Sequence, residues 1–508
     1  MLKFIFALIL LIPSISLSAV ITTLTVNEKD GVTTNNYPLT FAIPFKKGDV
    51  TAGVVAKVAG EPIPTQLDKK RSWVGGSLKH GIVTVIIPTV PANGTVTLSL
   101  ETDVAASPGS PMDKTALLAT DVESIIAMTN IAGSGNPATA SGSLRTAIGD
   151  GNLDYWIQGP LCTEILEDAQ LTPNDNLHAR WEARFYPGTS FGIRISNIVE
   201  STNILATGGS TYDVTINQGN TSPTQVFSYA GYSQGHGARW RRTFWLGAEP
   251  PEVQLVYDLD YLGSTGMLPP IDKSIIPTET FTAARAAETT TINAYNHRGG
   301  TNINGSANIG RIFSQPGGRP EIGIFPAWIA YYLLNWDARM QFAMTASADA
   351  MGHATGVHFR EGDAAKNFYG KAGISIDSRP TITLEAYGTG CPALIGSKVA
   401  NDWAADRAHT PGAVYVPYLL TGEHYYKEEL QFWASMAIAW NAYGRSGIGS
   451  RQNFSSNFAA QGTAAGILYD QERGMAWSLR NINDAAVISP DSDSSLIAYY
   501  KDKIGNNI

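Results

Sequence analysis

The spacing of apolar residues along the chain changes character once, near residue 275. Before that point, apolar and polar positions alternate in short runs broken by turn residues. After it, aromatic residues recur at steps of three and four. Alternation with period two predicts strands, and steps of three to four predict helices. The early runs include Leu39-Thr40-Phe41-Ala42-Ile43-Pro44 and Gly81-Ile82-Val83-Thr84-Val85-Ile86-Ile87. Asn93-Gly94, just ahead of Thr95-Val96-Thr97-Leu98-Ser99-Leu100, predicts a hairpin. A Gly/Ser/Pro-rich stretch from Ala105 to Met112 predicts a linker. Residues 20–108 are therefore expected to form a small β-sandwich domain.

Residues 109–274 continue the β pattern with longer strands and predict a larger antiparallel sandwich. In the clearest strand, Ala179, Trp181, Ala183 and Phe185 point to one face. His178, Arg180, Glu182 and Arg184 point to the other, which is expected to be wet. Further strands are expected at Phe191 to Ile198, Arg239 to Leu246 and Val253 to Tyr261. Past Pro269-Pro270 the pattern predicts helices, beginning with Phe281 to Tyr295. Pro326 suits a first helical position. Trp328, Tyr332 and Trp336 share a face, as do Leu430, Trp433, Ala437 and Trp440, and Arg473, Trp477 and Arg480 form a third such set. The expected fold class is multidomain β plus α: N-terminal β-sandwich domains, then a partial or compact α/α toroid over residues 275–508.

Bulk properties narrow the function more than the fold. The 508 residues need more than one core. A net charge of −8 argues against nucleic acid as a general partner, yet a local Arg cluster still admits an acidic substrate. Residues 1–19 have a basic start at Lys3, an apolar run from Phe4 to Ile12 and a small-residue exit at Ser16, Ser18 and Ala19. These are the parts of a signal peptide, so a secreted or periplasmic protein is expected. The run stops at Pro13, short of the roughly 20 apolar residues of a span. Secretion permits a bridge between Cys162 and Cys391, although two buried thiols is the plainer reading.

The chain lacks the G-x-S-x-G elbow, H-E-x-x-H, the P-loop and the dinucleotide glycine pattern. No motif supports a cofactor, a metal site or a divalent cation. What remains suits uronate elimination. That reaction needs a group to neutralise the carboxylate, a base for the α-proton and an acid for the leaving oxygen. Tyr295-Asn296-His297-Arg298 holds all these residue types within four positions, although a polar loop closing a helix is the plainer reading. His409, ahead of Tyr415 and Tyr418, is a second candidate base with candidate acids. Arg473 with Trp477 and Arg480 offers a carboxylate clamp beside a stacking ring. His236, Arg239, Arg241 and Arg242 form the most basic point of the chain and suit an anionic-sugar wall. His353, His358 and Arg360 are further substrate-facing candidates. Asp258-Leu259-Asp260 is expected to alternate on a strand.

Ser72-Trp73-Val74-Gly75-Gly76-Ser77-Leu78-Lys79-His80 resembles the Trp–(Asp/Gly)-Gly-Ser–Lys-His strand in the first β domain of exo-acting rhamnogalacturonan lyases. Asp406 to Tyr426 and Gln471 to Arg480 are similar to the helical domain of secreted and phage-encoded proteins of that broad group. The resemblance implies the order small β domain, larger sandwich, α/α toroid, and an acidic polysaccharide as substrate. The expected function is a polysaccharide lyase. Arg473 or Asn296 would neutralise the carboxylate, His409 or His297 would be the base, and Tyr415 or Tyr418 the acid. Trp336, Trp477, Arg480, Arg239, His236, His358 and Arg360 would hold sugar. Two other classes fit the same pattern. One is a glycoside hydrolase, with its carboxylates among Asp337, Asp406 and Glu423, roughly 5–10 Å apart. The other is a non-catalytic glycan-binding or virion-surface protein.

Overall fold

The computed structural model describes residues 19–103, 109–133, 136–173, 177–205, 208–272, 274, 302–310, 321–379, 403, 410–441, 468 and 472–508. Among these the protein is a set of antiparallel sheets followed by helices. The first module pairs two sheets. One has the order β17(Val253–Tyr257)-β1(Val20–Glu28)-β7(Thr95–Asp103)-β3(Gly53–Val58)-β4(Glu61–Ile63). The other is β2(Thr34–Pro44)-β6(Leu78–Val90)-β5(Thr65–Ser72). The second module is a sandwich. One sheet runs β10(Asp154–Gln158)-β11(Thr163–Gln170)-β12(His178–Phe185)-β13(Ile193–Ser201)-β16(Ala238–Leu246). Its mate runs β15(Thr224–Gln234)-β14(Ser210–Gln218)-β8(Ser124–Ala132)-β9(Ala140–Ser143).

Three local expectations resolve differently. Asn93-Gly94 is a tight turn, with Asn93 at φ +50° and Gly94 N–H donating to the Pro91 carbonyl at 2.9 Å. It joins β6 to β7, which lie in different sheets, so it is a crossing between layers and not a hairpin. The turn residues set the local backbone, while burial of Val96, Leu98 and Leu100 sets the partner strand. The strand at Val253 belongs to the first module, pairing with β1. It also ends earlier than expected, because Asp258 caps a short helix, α3(Leu259–Ser264), following α1(Lys114–Leu118) and α2(Leu144–Asp150). The Asp258 carboxylate accepts from Asp260 N–H at 3.0 Å and Tyr261 N–H at 3.1 Å. The aspartates thus start a helix and do not alternate on a strand.

The helices are α4(Ala327–Asn335), α5(Ala338–Ala350), α6(Tyr415–Thr421), α7(His424–Asn441), α8(Glu472–Ile488) and α9(Ser494–Gly505). Pro326 stands one residue ahead of α4, and Trp328 and Tyr332 are buried on its apolar side. No described helix is long and apolar enough to cross a membrane. The expected helix at Phe281 to Tyr295 lies outside the described residues, as do the leader to residue 18, Trp440's side chain, Cys391 and most of the linker. Cys162 is a buried free thiol.

The Ser72–His80 segment turns β5 into β6. Trp73 N–H donates to the Ser77 carbonyl at 2.8 Å across Gly75 and Gly76, both at positive φ. His80 is fully buried, and its Nε2 lies 3.0 Å from the Leu419 carbonyl of α6. Burial lowers this imidazole to about pKa 4, so it docks the helix as a neutral ring. The α6–α7 turn sits where the modules meet. Gly422 takes φ +68°, and a Cβ there would come within 2.6 Å of Ile82 Cγ1. Its carbonyl accepts from Trp156 Nε1 at 2.7 Å.

The apolar face of β12 behaves as its alternation requires: Ala179, Trp181, Ala183 and Phe185 all lie in the sandwich core. Trp181→Ala should cost about 3–5 kcal/mol of stability, the usual range for deleting a buried indole. Chemical denaturation followed by tryptophan fluorescence measures it. A loss under about 1 kcal/mol would mean this core is not packed as described.

Candidate functional site

The second face of β12 is not wet. Register across four neighbouring strands puts its side chains into rows, because directly paired residues share a face. The first row is Glu164, Arg184, Arg194 and Trp245. The next is Leu166, Glu182, Ser196 and Thr243, then Asp168, Arg180, Ile198 and Arg241, then Gln170, His178, Glu200 and Arg239. Helix α7 and the residue before it lie over this face and meet it with charge.

Arg239 is completely buried. Its Nε donates to Glu429 Oε1 at 2.6 Å, Nη1 to Glu428 Oε2 at 2.6 Å, and Nη2 to the Tyr425 carbonyl at 3.0 Å. Arg360 grips Glu200 through Nε at 2.8 Å and Glu428 through Nη2 at 2.7 Å. His358 Nε2 lies 2.8 Å from Glu429 Oε2, and its Nδ1 faces the Gly237 carbonyl at 3.0 Å. His236 is buried against Phe359, with Nε2 at 3.0 Å from the Asn203 carbonyl. These four residues were expected to face sugar. The structure instead spends their polar atoms on protein partners, because a basic strand under a helix rich in glutamate is neutralised internally. His353 is likewise enclosed, and burial lowers it to about pKa 4.

Other expected residues are also structural. Asp337 caps α5, accepting from Arg339 N–H at 2.9 Å, and so is not a free carboxylate. Trp336 packs at 5.4 Å from Tyr257 and 5.1 Å from Tyr332. The Tyr415 hydroxyl donates to the Met267 carbonyl at 2.8 Å. Tyr418 is enclosed, with its ring 5.1 Å from His80. Burial raises both phenols, and neither lines a cleft described next. Arg480 lies over Trp477 at 5.0 Å, as their shared face predicts. Its Nη2 donates to the Thr410 carbonyl at 2.6 Å and Nη1 to the Gly323 carbonyl. Arg480 thereby joins the two segments that the sequence singled out, those around His409 and Trp477. Arg473 is half-buried at the start of α8 and, like Trp477 and Arg480, lines neither cleft described next. Asn296, His297, Asp406 and His409 lie outside the described residues.

Two clefts open on either side of the α6–α7 turn, at its junction with the sandwich. The first, of about 770 Å3, also borders the first module and is floored by the Arg184–Arg194–Trp245 row. Tyr186, just past β12, stacks on Trp245 at 6.1 Å with an interplanar angle of 18°. Glu423 closes one end, taking Arg194 Nη2 at 2.7 Å on Oε1 and Arg241 Nη1 on Oε2. Burial opposes its ionisation, but Arg194, Arg241 and Arg184 outweigh that and hold its carboxyl at about pKa 2. Arg184 is nearly buried and bonds Glu164 through Nε at 2.7 Å, while its Nη2 has no hydrogen-bond partner among the described residues. The Tyr186 phenol beside it is raised by burial. Arg194 is one-fifth exposed, with 20% of its side chain open to solvent. Asp30, Glu249 and Glu252 stand on the exposed rim.

The second cleft, about 910 Å3, lies over the Glu182 and Arg180 rows and wraps the edge of β11 to reach Glu167. Burial, then Asp168 and Asp154, push the Glu167 carboxyl up to about pKa 7. Among the described residues no group of His, Cys, Asp or Glu forms a metal cage. No protein-family model matches the chain, and no curated protein matches it significantly.

Sequence reasoning missed Arg194, Tyr186 and Trp245. The signal was there in part. Arg184 was assigned to the correct face, and Trp245 is in phase with Arg239 and Arg241. The strand register that aligns them was not legible.

The depressed Glu423 has a definite sign. Its folded pKa of about 2 lies below the ordinary 4.5, so its stabilisation is complete above pH 4.5 and lost as pH falls toward 2. The full term is on the order of 3 kcal/mol. Glu423→Gln should therefore be destabilised at neutral pH, with the gap to wild type narrowing as the solution is acidified. Denaturation midpoints across that window measure it. A gap independent of pH would show that Glu423 is not held ionised.

Proposed function

We propose that this protein is a secreted polysaccharide lyase that cleaves a uronate-containing glycan by β-elimination. In this reading the helical part is a partial or compact α/α toroid, and the first cleft is the substrate groove. The observation that carries the proposal is the row of Arg184, Arg194 and Trp245 with Tyr186 stacked beside it. A sugar ring lies on aromatic faces, and a guanidinium neutralises a carboxylate bidentately. Arg184 Nη2 has no hydrogen-bond partner within bonding geometry among the described residues, and the Tyr186 hydroxyl is its neighbour, so this is the kind of group that a bound anion satisfies.

The groups divide the chemistry as follows. Arg194, with Arg184, neutralises the uronate carboxylate and so acidifies the α-proton. Tyr186 keeps its proton and delivers it to the leaving oxygen. No described histidine lines this cleft, and the sequence candidates for the base, His409 and His297, lie outside the described residues. Glu423 is too weak a base at about pKa 2 and serves to orient Arg194. A hydrolase would need a protonated carboxyl in the same cleft, and Glu423 is held ionised.

Elimination leaves a double bond conjugated to the carboxylate, which absorbs ultraviolet light. An ultraviolet signal is expected on pectic rhamnogalacturonan, polygalacturonate, alginate, glucuronan or a glycosaminoglycan. Arg194→Ala should lower the rate by about 10²–10³-fold, and Tyr186→Phe by about 10²–10⁴-fold. New reducing ends without ultraviolet absorbance would replace the lyase reading by a hydrolase. An intact polymer that still binds would replace it by a binding module. An active wild type with unimpaired variants would remove these residues from the mechanism.

A further inference from the structure

The second cleft contains two buried acceptors that the protein leaves unused. Glu182 Oε2 and Gln431 Oε1 have no hydrogen-bond partner among the described residues, and both side chains line the cleft. Glu182 is 4% exposed and Gln431 is 1% exposed. The far end of each is held in place. Glu182 Oε1 lies 3.1 Å from His424 Nδ1. Gln431 Nε2 donates to Asp493 Oδ2 at 2.7 Å and to Ser489 Oγ at 3.2 Å. An ionised carboxylate only accepts, so flipping this amide would set oxygen against oxygen. The amide oxygen is therefore fixed as the free end. An unmet buried acceptor is costly, which makes a donor arriving from the cleft favourable.

The charge around these acceptors selects the donor. Arg180, Arg360, Lys427 and Lys371 on its walls are each paired with a carboxylate, so an anion is disfavoured. A simple cation would meet Lys427 inside, 3.5 Å from Asp493, and Lys371 at the mouth, with 44% of its side chain exposed. A lining that both donates and accepts suits hydroxyl groups, which do the same. Length narrows the ligand further. Glu182 binds His424 and the other acceptor is on Gln431, seven residues along α7, or about 10 Å of helix. Hydroxyls on one sugar ring lie closer together than that.

We propose that the second cleft is a binding site for a neutral disaccharide unit, with hydroxyls of its two rings donating to Glu182 Oε2 and Gln431 Oε1 and accepting from Lys371 at the mouth. The site is separate from the groove in which elimination is proposed, and it stands whether or not that reaction occurs. The cleft volume of about 910 Å3 falls within the ordinary range for small-molecule sites.

Calorimetric titration of the mature, full chain tests this directly. The probes are cellobiose, lactose, maltose and melibiose as neutral disaccharides, with digalacturonate and spermidine as charged controls. At least one neutral disaccharide should bind. Glu182→Gln removes the charge of the free acceptor and should weaken that binding about tenfold, the effect of one hydrogen bond to a charged group. Lys371→Ala, on a side chain 44% exposed, should weaken it about threefold. Tyr186→Phe in the first cleft should leave it unchanged. The proposal is overturned if no neutral disaccharide binds, or if only digalacturonate or spermidine does. It is also overturned if Lys371→Ala binds as wild type, or if Tyr186→Phe abolishes binding. Should Glu182→Gln fail to fold, the Lys371→Ala titration decides alone.

Discussion

The arrangement depends on a layer of charge shut between a β-sheet and a helix. Arg239, Arg241 and Arg360 meet Glu200, Glu423, Glu428 and Asp349 where α7 crosses the outer rows of the second sandwich. Such a layer is weak evidence for net stability, since desolvating each ion cancels much of the attraction. Its strength is in position. Shifting α7 by one residue along the sheet would strand guanidinium and carboxylate groups without partners, and an unpaired buried charge is far costlier than a pair. The layer therefore fixes where α7 sits. Helix α7 lines the second cleft, and Glu423, the residue just before it, lines the first.

This explains why the sequence revealed the strands better than the site. Periodicity is local, so the two faces of β12 and the apolar sides of α4 and α7 could be read from spacing alone. What covers a face is not local. His178, Arg180, Glu182 and Arg184 have the composition of a solvated face, and nothing within ten residues announces the glutamates of α7, more than 230 positions away, that close over it. The same limit applies to turns. Asn93-Gly94 fixes its own dihedrals but not the sheet to which the next strand belongs. Asp258 could equally decorate a strand or cap a helix until the residues after it are packed.

The basic cluster at residues 236–242 shows how a functional reading can fail for a physical reason. A run of Arg in an acidic chain draws attention as a docking site for anions. In a chain with a net charge of −8, however, the nearest anions are its own carboxylates. Glutamates at consecutive positions 428 and 429 reach Arg239 from adjacent points on one helical turn, and Arg360 arrives from a separate loop to share Glu428 and Glu200. Among the described residues Arg184 has one engaged edge and one buried nitrogen without a partner, as Arg241 has at its Nε, and Arg194 is partly open to the first cleft. Placement on a cleft wall, rather than charge density or an unmet nitrogen alone, separates Arg184 and Arg194 from Arg239 and Arg241.

The same criterion links the two clefts. Glu423 and His424 are neighbours at the start of α7, yet they face different flanks. Glu423 joins Arg194 in the first cleft, and His424 joins Glu182 in the second. Their backbone follows Gly422, whose positive φ and close approach to Ile82 leave no room for a side chain. A single turn, held by the first module through Ile82 and by the second through Trp156, therefore sets the geometry of both clefts.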